Sequence, residues 1–431
     1  MTAKGPMSHS GFPQLWTATT VSYFGTYVTM VALQVLMVTD LHASAGQIGL
    51  VNAARWLPYL LFGLLAGVFV DRYRRRTVLI GSDLGRAVLL GVIPLLGLVG
   101  GLSMPVIAGL MVPFGLLALL NDAAYQSFLP RLVPPTLFNR ANARLQQSSQ
   151  VAQTTGPLVG GGLVQALGAP LAVVIDAVSY LGSGLILSTV RVPEPNPADH
   201  PDRPKHRLRT ELREGLVTVY RHPKLASLSL NTHAWFIFSS LAGTVFVPFA
   251  VRQVGIGSFG LGIAYSCAGV GGLLGTALAN RTERRMGAGP AVIAAQLLFP
   301  FAYLPIVFAQ HGTGGLVLIC AGQFLFWVAV GVGSPTELAY RQSVVADHLL
   351  GRANATIRSL NWGMNVIGAP IGGVLADGIG YRPALWLGIG GFAVTGVLLA
   401  LSPFRKASLA ERPEAGRMTA PSSMEQERAD G

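Results

Sequence analysis

The stretch Gly67-Val68-Phe69-Val70-Asp71-Arg72-Tyr73-Arg74-Arg75-Arg76 marks a point where hydrocarbon gives way to water. From Ala45 to Val70 the one charged side chain is Arg55, and the next six positions carry Asp71 and four arginines. Short loops rich in Lys and Arg are retained on the cytoplasmic side of a membrane, so this turn sets the orientation of the spans on either side of it.

Working outward, the chain alternates apolar segments of about 20 residues, the length a helix needs to cross a bilayer, with charged or Gly/Pro-rich turns. Twelve such segments are predicted, near 14–38, 46–70, 78–99, 104–125, 142–166, 169–189, 226–250, 257–279, 288–309, 314–337, 354–376 and 382–402. Over 431 residues, 51% hydrophobic against 12% charged residues excludes a set of soluble domains and implies a polytopic, all-α membrane protein. The first segment is longer than a signal-peptide core and lacks a clear small-residue cleavage site, so it is expected to remain as a span.

The net charge of +12 does not point to nucleic acid, because the basic residues lie in short loops between spans. There they are read as topology signals and as contacts to anionic lipid headgroups. The loops assigned to the inside hold Arg72, Arg74, Arg75, Arg76, Arg131, Arg140, Arg281, Arg284, Arg285, Arg341 and Arg352, against Arg252 and Arg382 outside. With an even number of spans and the basic turn inside, both termini are expected in the cytoplasm. Cys267 and Cys320 fall within predicted spans and are read as reduced packing residues.

Residues 1–190 are expected to form one six-helix bundle and 225–403 a second. Between them, 191–224 opens on five prolines and then places Leu212, Leu216, Val217 and Tyr220 at helical spacing among charges. That pattern predicts a short amphipathic helix on the inner membrane surface. The tail, 404–431, has the composition of a disordered segment. The halves repeat each other: Arg140-Ala141-Asn142-Ala143 recurs as Arg352-Ala353-Asn354-Ala355, and Gly156, Gly160 and Gly161 recur as Gly368, Gly372 and Gly373. Two repeats joined by a polar linker are the design of a transporter that rocks one bundle against the other.

The basic turn resembles the signature loop of the major facilitator superfamily, Gly-x-x-x-Asp-Arg-x-Gly-Arg-Arg. Gly67, Asp71, Arg72, Arg75 and Arg76 match it, and Arg74 replaces the loop glycine. The resemblance implies a fold of twelve transmembrane helices in two six-helix pseudo-repeats. It also implies a conformational gate, in which Asp71 docks against the start of span eleven and nearby arginines. Asp122, at the inner end of span four, is expected to pair with Arg75 or Arg76. Gly156-Pro157-Leu158-Val159-Gly160-Gly161 is similar to the core of the span-five motif of facilitator-type exporters, with Ala152 where that motif has a further glycine. Ala53-Ala54-Arg55-Trp56-Leu57-Pro58, Leu129-Pro130-Arg131 and Ile175-Asp176-Ala177 resemble the branch containing bacterial macrolide and siderophore exporters, also labelled transmembrane secretion effectors.

Ionisable residues inside spans are costly and mark function or a buried partner. Arg55 and Asp176 are candidates for substrate or proton handling, with structural pairing the competing reading. His233 and Glu337 are further proton-carrier candidates, although a lone intramembrane histidine is more often a hydrogen-bonding residue. Asp83 and Arg86, three apart, are read as a structural pair. Phe24, Tyr27, Met30, Leu33, Leu36 and Met37 on span one, with Trp235, Phe236 and Phe238 on span seven, either pack against helices and lipid or line an apolar cavity. The expected function is secondary export of amphipathic small molecules such as drugs, macrolides or siderophore-like compounds, by proton antiport with alternating access. A facilitator or importer of a small nutrient and a lipid flippase are the alternatives. No phosphate-binding loop and no His/Cys cluster is present in the sequence, so no cofactor, metal or enzymatic role is expected, and the transporter is read as a monomer powered by the proton gradient.

Overall fold

The computed structural model describes residues 5–9, 11–192 and 208–410. Within them the chain forms fourteen α-helices and no strand. In order these are α1 (Phe12–Val35), α2 (Ala45–Phe62), α3 (Ala66–Asp71), α4 (Arg75–Leu98), α5 (Met104–Leu132), α6 (Phe138–Leu167), α7 (Ala169–Ser188), α8 (Leu208–Arg221), α9 (Pro223–Pro248), α10 (Ser258–Met286), α11 (Ala288–Val307), α12 (Thr313–Val344), α13 (Asp347–Ile379) and α14 (Tyr381–Leu401). The second predicted span is thus broken, at residues 63–65, into α2 and α3. Several helices outrun the apolar segments that announced them, α5, α10, α12 and α13 most of all, each by about two turns at the end bearing the arginines. That end is called the basic end below.

Helices α1, α2, α4, α5, α6 and α7 pack mainly among themselves, as do α9 to α14. The two groups meet where α2 lies along α13 and α6 along α10. Among the described residues, nine helices are long and apolar enough to cross a membrane by length and composition. The long ones left out are α2, α6 and α13, which are three of the four seam helices. A face buried against protein rather than lipid is free to be polar and small, which lowers the apolar content of those segments.

The internal repeat has a direct structural counterpart. A Cβ on Gly160 would lie 2.9 Å from the Val28 Cα of α1, and one on Gly372 would lie 2.8 Å from the Leu241 Cα of α9. On the other side of the same helices, a Cβ on Gly161 would meet the Ser258 carbonyl oxygen of α10 at 2.5 Å, and one on Gly373 the Ala45 carbonyl oxygen of α2 at 2.3 Å. Each half therefore uses one glycine to hold its own first helix and the next to touch the first turn of a helix in the opposite half. Both glycine helices also end alike, on Gly168 (φ 83°) and Gly380 (φ 92°), a backbone region that costs other residues strain.

The linker helix α8 packs on α13, where Gly215 faces Thr356 and Arg352 and Val219 is fully buried. Its Glu214 forms an ion pair with Arg352. Leu216 and Val217 remain exposed. The stretch 193–207 and the tail 411–431 lie outside the described residues.

Candidate functional site

Two cavities flank the seam. The first, of about 220 Å³, lies inside the first half, and its polar lining is organised by a buried network. Asp83 and Arg86, on one face of α4, form an ion pair. Asp83 also accepts from Asn121 Nδ2 at 3.0 Å and from Ser183 Oγ at 2.5 Å. Arg86 donates to the Tyr180 hydroxyl at 3.3 Å and stacks over its ring at 4.2 Å. The Tyr180 hydroxyl lies 2.9 Å from Thr26 on α1. Breaking such a pair by removing one partner leaves an uncompensated buried charge, so the network fixes four helices around the cavity.

Arg55 and Asp122 face the same space. The Tyr59 hydroxyl donates to Asp122 Oδ2 at 2.9 Å. Asp122 is exposed although it lies well within α5, because it opens to the cavity rather than to lipid. The Arg55 guanidinium lies 5.5 Å from the ring centres of both Trp56 and Phe114. The Arg55 backbone is pressed against α5, where a Cβ on Gly115 would fall 2.0 Å from the Arg55 carbonyl oxygen.

The second cavity, of about 500 Å³, belongs to the second half and is chiefly aromatic. Trp235 lies 5.3 Å from Phe299, 6.0 Å from Phe326 and 5.1 Å from Phe236. Glu337 and Arg341 supply its charge, with Thr232 and Asn361 beside them. A volume of this size falls in the range of small-molecule sites, as does an apolar lining with a few polar groups.

A stacked aromatic pair crosses the seam between the two cavities. Trp56 of α2 stacks on Trp362 of α13, with centroids 4.5 Å apart and planes 13° apart. Trp362 in turn meets Phe236 edge-on at 5.5 Å. Rings therefore run from beside Arg55 across the seam into the Trp235 cluster.

At the end opposite the basic turn, the halves are clasped by polar contacts. The Asp377 carboxylate of α13 accepts from the Ala45 amide at 2.9 Å, the Gly46 amide at 2.8 Å and the Ser44 hydroxyl at 2.7 Å. It thus caps the N-terminus of α2, where unpaired N–H groups and the helix dipole favour an anion. Arg252 Nη2, after α9, donates to the Val38 and Ala43 carbonyls at 3.1 and 2.7 Å. In the half of the molecule nearer the basic end, by contrast, a cleft of about 870 Å³ opens beside the packed α6–α10 pair, lined by Gln146, Gln147 and Gln150 of α6 and by Trp327 and Ser334 of α12.

The residues singled out in the sequence fall into three sets. Arg55, Asp122 and Glu337 line the cavities. Asp122 does not join Arg75 or Arg76 as expected: its helix face carries it to Tyr59 instead. Asp176 is fully buried and accepts from Ser179 at 2.9 Å. His233 is buried in a hydrogen-bonded position, with Nδ1 2.6 Å from Asn361 Oδ1 and Nε2 2.7 Å from the Tyr220 hydroxyl. With Nδ1 donating to the amide oxygen, Nε2 accepts from Tyr220, so the ring ties α8 to α13.

The basic turn is divided. Arg76 donates to the Leu187 carbonyl at 3.2 Å and to the Ser188 carbonyl, a cation at the C-terminus of α7. Arg75 is buried, Arg72 and Arg74 are exposed, and a Cβ on Gly67 would meet nothing within 4 Å. The Asp71 side chain lies outside the described residues, and its docking on span eleven with it. Gly156, Pro157, Gly160 and Gly161 are all buried. Of the span-one residues, Leu33, Leu36 and Met37 are core packing, whereas Trp235 and Phe236 line the aromatic cavity. Sequence reasoning passed over Tyr59, Asn121, Trp362 and Asp377. Asp377 alone had a visible signal, a lone carboxylate at the outer end of a predicted span.

Comparison with known proteins agrees with this architecture. The family model described as Major Facilitator Superfamily matches residues 15–360 and 236–425. An MFS-type transporter of Sinorhizobium fredii, y4rN, is 28% identical over 76% of this chain and 78% of its own. The multidrug efflux pump Tap of Mycolicibacterium fortuitum is 26% identical over 90% of this chain and 95% of its own. The crystal structure of the nucleoside transporter NupG superposes with a TM-score of 0.73 at 11% identity, covering 92% of this chain and 99% of that one, a likeness of fold alone. With its two packed six-helix groups, its apolar helices and a family match over most of its length, the chain is a multi-pass membrane protein that belongs to the major facilitator superfamily of transporters.

Proposed function

We propose that the protein is a secondary transporter that exports amphipathic small molecules across a bacterial plasma membrane in exchange for protons. Its central site lies about the Trp56–Trp362 stack, between a polar cavity that Arg55 lines and an apolar cavity that Trp362 lines. That contact is the observation on which the reading rests: an amphiphile offers one part to each half, and its binding is then sensitive to how the halves are placed. In this reading the basic end faces the cytoplasm, as the arginine bias favours, and so do both termini. The contacts of Asp377 and Arg252 close the far side, leaving the cleft beside α6 as the route from within. The efflux activity in the name of Tap supports the direction.

Proton coupling is assigned to Glu337 and Asp122, which line the two cavities, rather than to Asp83, which lines the first cavity but is held in an ion pair with Arg86. The protein works as a monomer, its exposed apolar helix faces covered by membrane lipid. Import of a small polar nutrient is the second reading, favoured by the tyrosines, Asn121 and charges of the first cavity. Cells expressing the protein and loaded with a fluorescent amphiphilic dye should lose it faster than control cells, and an uncoupler should abolish the difference. Accelerated dye entry, or efflux untouched by the uncoupler, would contradict proton-driven export.

A further inference from the structure

Among the charged groups of the first cavity, Arg55 stands apart. Arg86 is matched by Asp83, and Asp122 is held by Tyr59. The Arg55 guanidinium lies beside the rings of Trp56 and Phe114 and donates to no hydrogen-bond acceptor among the described residues. It is not a surface arginine reaching for water, since it belongs to a helix in the seam and lines the cavity. Asp176 is an acid within electrostatic reach of Arg55, but it is fully buried, takes its hydrogen bond from Ser179 and does not line this cavity, so it leaves the Arg55 donors unspent. A planar cation within a membrane span, flanked by two aromatic rings and with its donors unspent, is a built receptor for an oxyanion.

We propose that Arg55 recognises an anionic headgroup, so that the amphiphiles this site takes are acids: a carboxylate, phosphate or sulfonate at Arg55 and an apolar or aromatic body along the Trp56–Trp362–Phe236–Trp235 rings. The site deepens the transport reading above and rests on it. Gly115 matters to this recognition, because its lack of a side chain lets α5 press on the Arg55 backbone and hold the guanidinium over the cavity. A cationic drug of similar shape meets Arg55 as a like charge in a low-dielectric space and is disfavoured.

The test uses the full chain in nanodiscs of zwitterionic lipid and three probes with one aromatic body: pyrene butyrate, its methyl ester, and a pyrenyl-alkyl trimethylammonium. Binding is read as energy transfer from tryptophan to pyrene. The acid should bind at least about tenfold more tightly than the ester, the usual scale of one charge-assisted hydrogen-bonded contact, and the ammonium most weakly. Arg55→Gln should remove the preference, so that acid and ester bind alike, and Arg55→Lys should restore part of it. Equal binding of acid and ester to the unaltered protein, tighter binding of the ammonium, or an intact preference in Arg55→Gln would overturn the assignment. The comparison among probes needs no variant, so a misfolded substitution does not shield it. Competition by phosphatidylglycerol would place the anion on a membrane lipid, and indifference to it would leave a free acid as the ligand. Gradient-driven transport of the ester or ammonium in vesicles would preserve the transport reading while the anion assignment failed.

Discussion

Trp56 and Trp362, far apart in the chain and on opposite halves of the protein, lie face to face at 4.5 Å. Among the described residues the stack is the aromatic contact that crosses from one half to the other, and Leu60 and Gly363 tighten the same seam one turn away. An offset aromatic pair contributes about 0.5–1.5 kcal/mol beyond the area it buries. Trp362→Ala should therefore leave insertion and helicity unchanged but lower transport by about tenfold or more, through loss of substrate contact and of the seam together. Full transport by this variant, at wild-type abundance, would remove the stack from the site.

Asp377 holds the far end of the seam through two backbone amides and a hydroxyl. In Asp377→Asn the charge that complements the α2 N-terminus is lost, a change of about 1–2 kcal/mol for charge-assisted bonds of this kind. That is enough to shift a two-state equilibrium by about tenfold. A cysteine placed at Ala43 should then be labelled by a membrane-impermeant maleimide about that much faster than in the Asp377 protein. An unchanged rate would mean the clasp does not set the balance between the two states.

The glycines of α6 give contrasting expectations. A Cβ at Gly160 would stand 2.9 Å from the Val28 Cα, so Gly160→Val overpacks the α1–α6 contact at about 1–3 kcal/mol. The thermal unfolding midpoint in detergent should fall, and transport with it. Gly67→Ala has open space in this conformation and should leave the midpoint unchanged. Equal midpoints for both variants would show that the close helix approach is not a source of stability.

Much of this fold is legible in the sequence because hydrocarbon imposes it. Apolar length, arginine placement and the repeated glycines each report a one-dimensional constraint, and all survive into the packed helices. The lower apolar content of α2, α6 and α13 has its reason in the packing, because these helices face protein at the seam. The site was harder. Arg55 and Glu337 stand out as charges within spans, but Trp362 looks like any aromatic residue of a membrane helix until α13 is laid against α2. Asp122 was misassigned for a related reason: at the end of a span, proximity in sequence to a basic turn says nothing about which helix face a side chain occupies. Asp83 and Arg86 were legible as a pair from their spacing, yet not their links to Asn121, Ser183 and Tyr180, which come from other helices.

Glu337 lines the aromatic cavity one helical turn before Arg341. If it exchanges protons with the substrate cycle, Glu337→Gln should retain binding of an amphiphilic ligand within about threefold, a difference of well under 1.4 kcal/mol, while losing gradient-driven accumulation. Equilibrium binding in nanodiscs and flux in proteoliposomes separate the two effects. Undiminished accumulation in the variant would move the coupling role to Asp122.

The most direct measurement of the central claim is uptake into inside-out membrane vesicles of a panel of macrolides, dyes and siderophore-like compounds, with and without an imposed proton gradient. The account predicts accumulation that requires the gradient, collapses with an uncoupler and is reduced in Trp362→Ala. Accumulation of no compound, or uptake indifferent to the gradient, by a protein shown to be folded and present would contradict it.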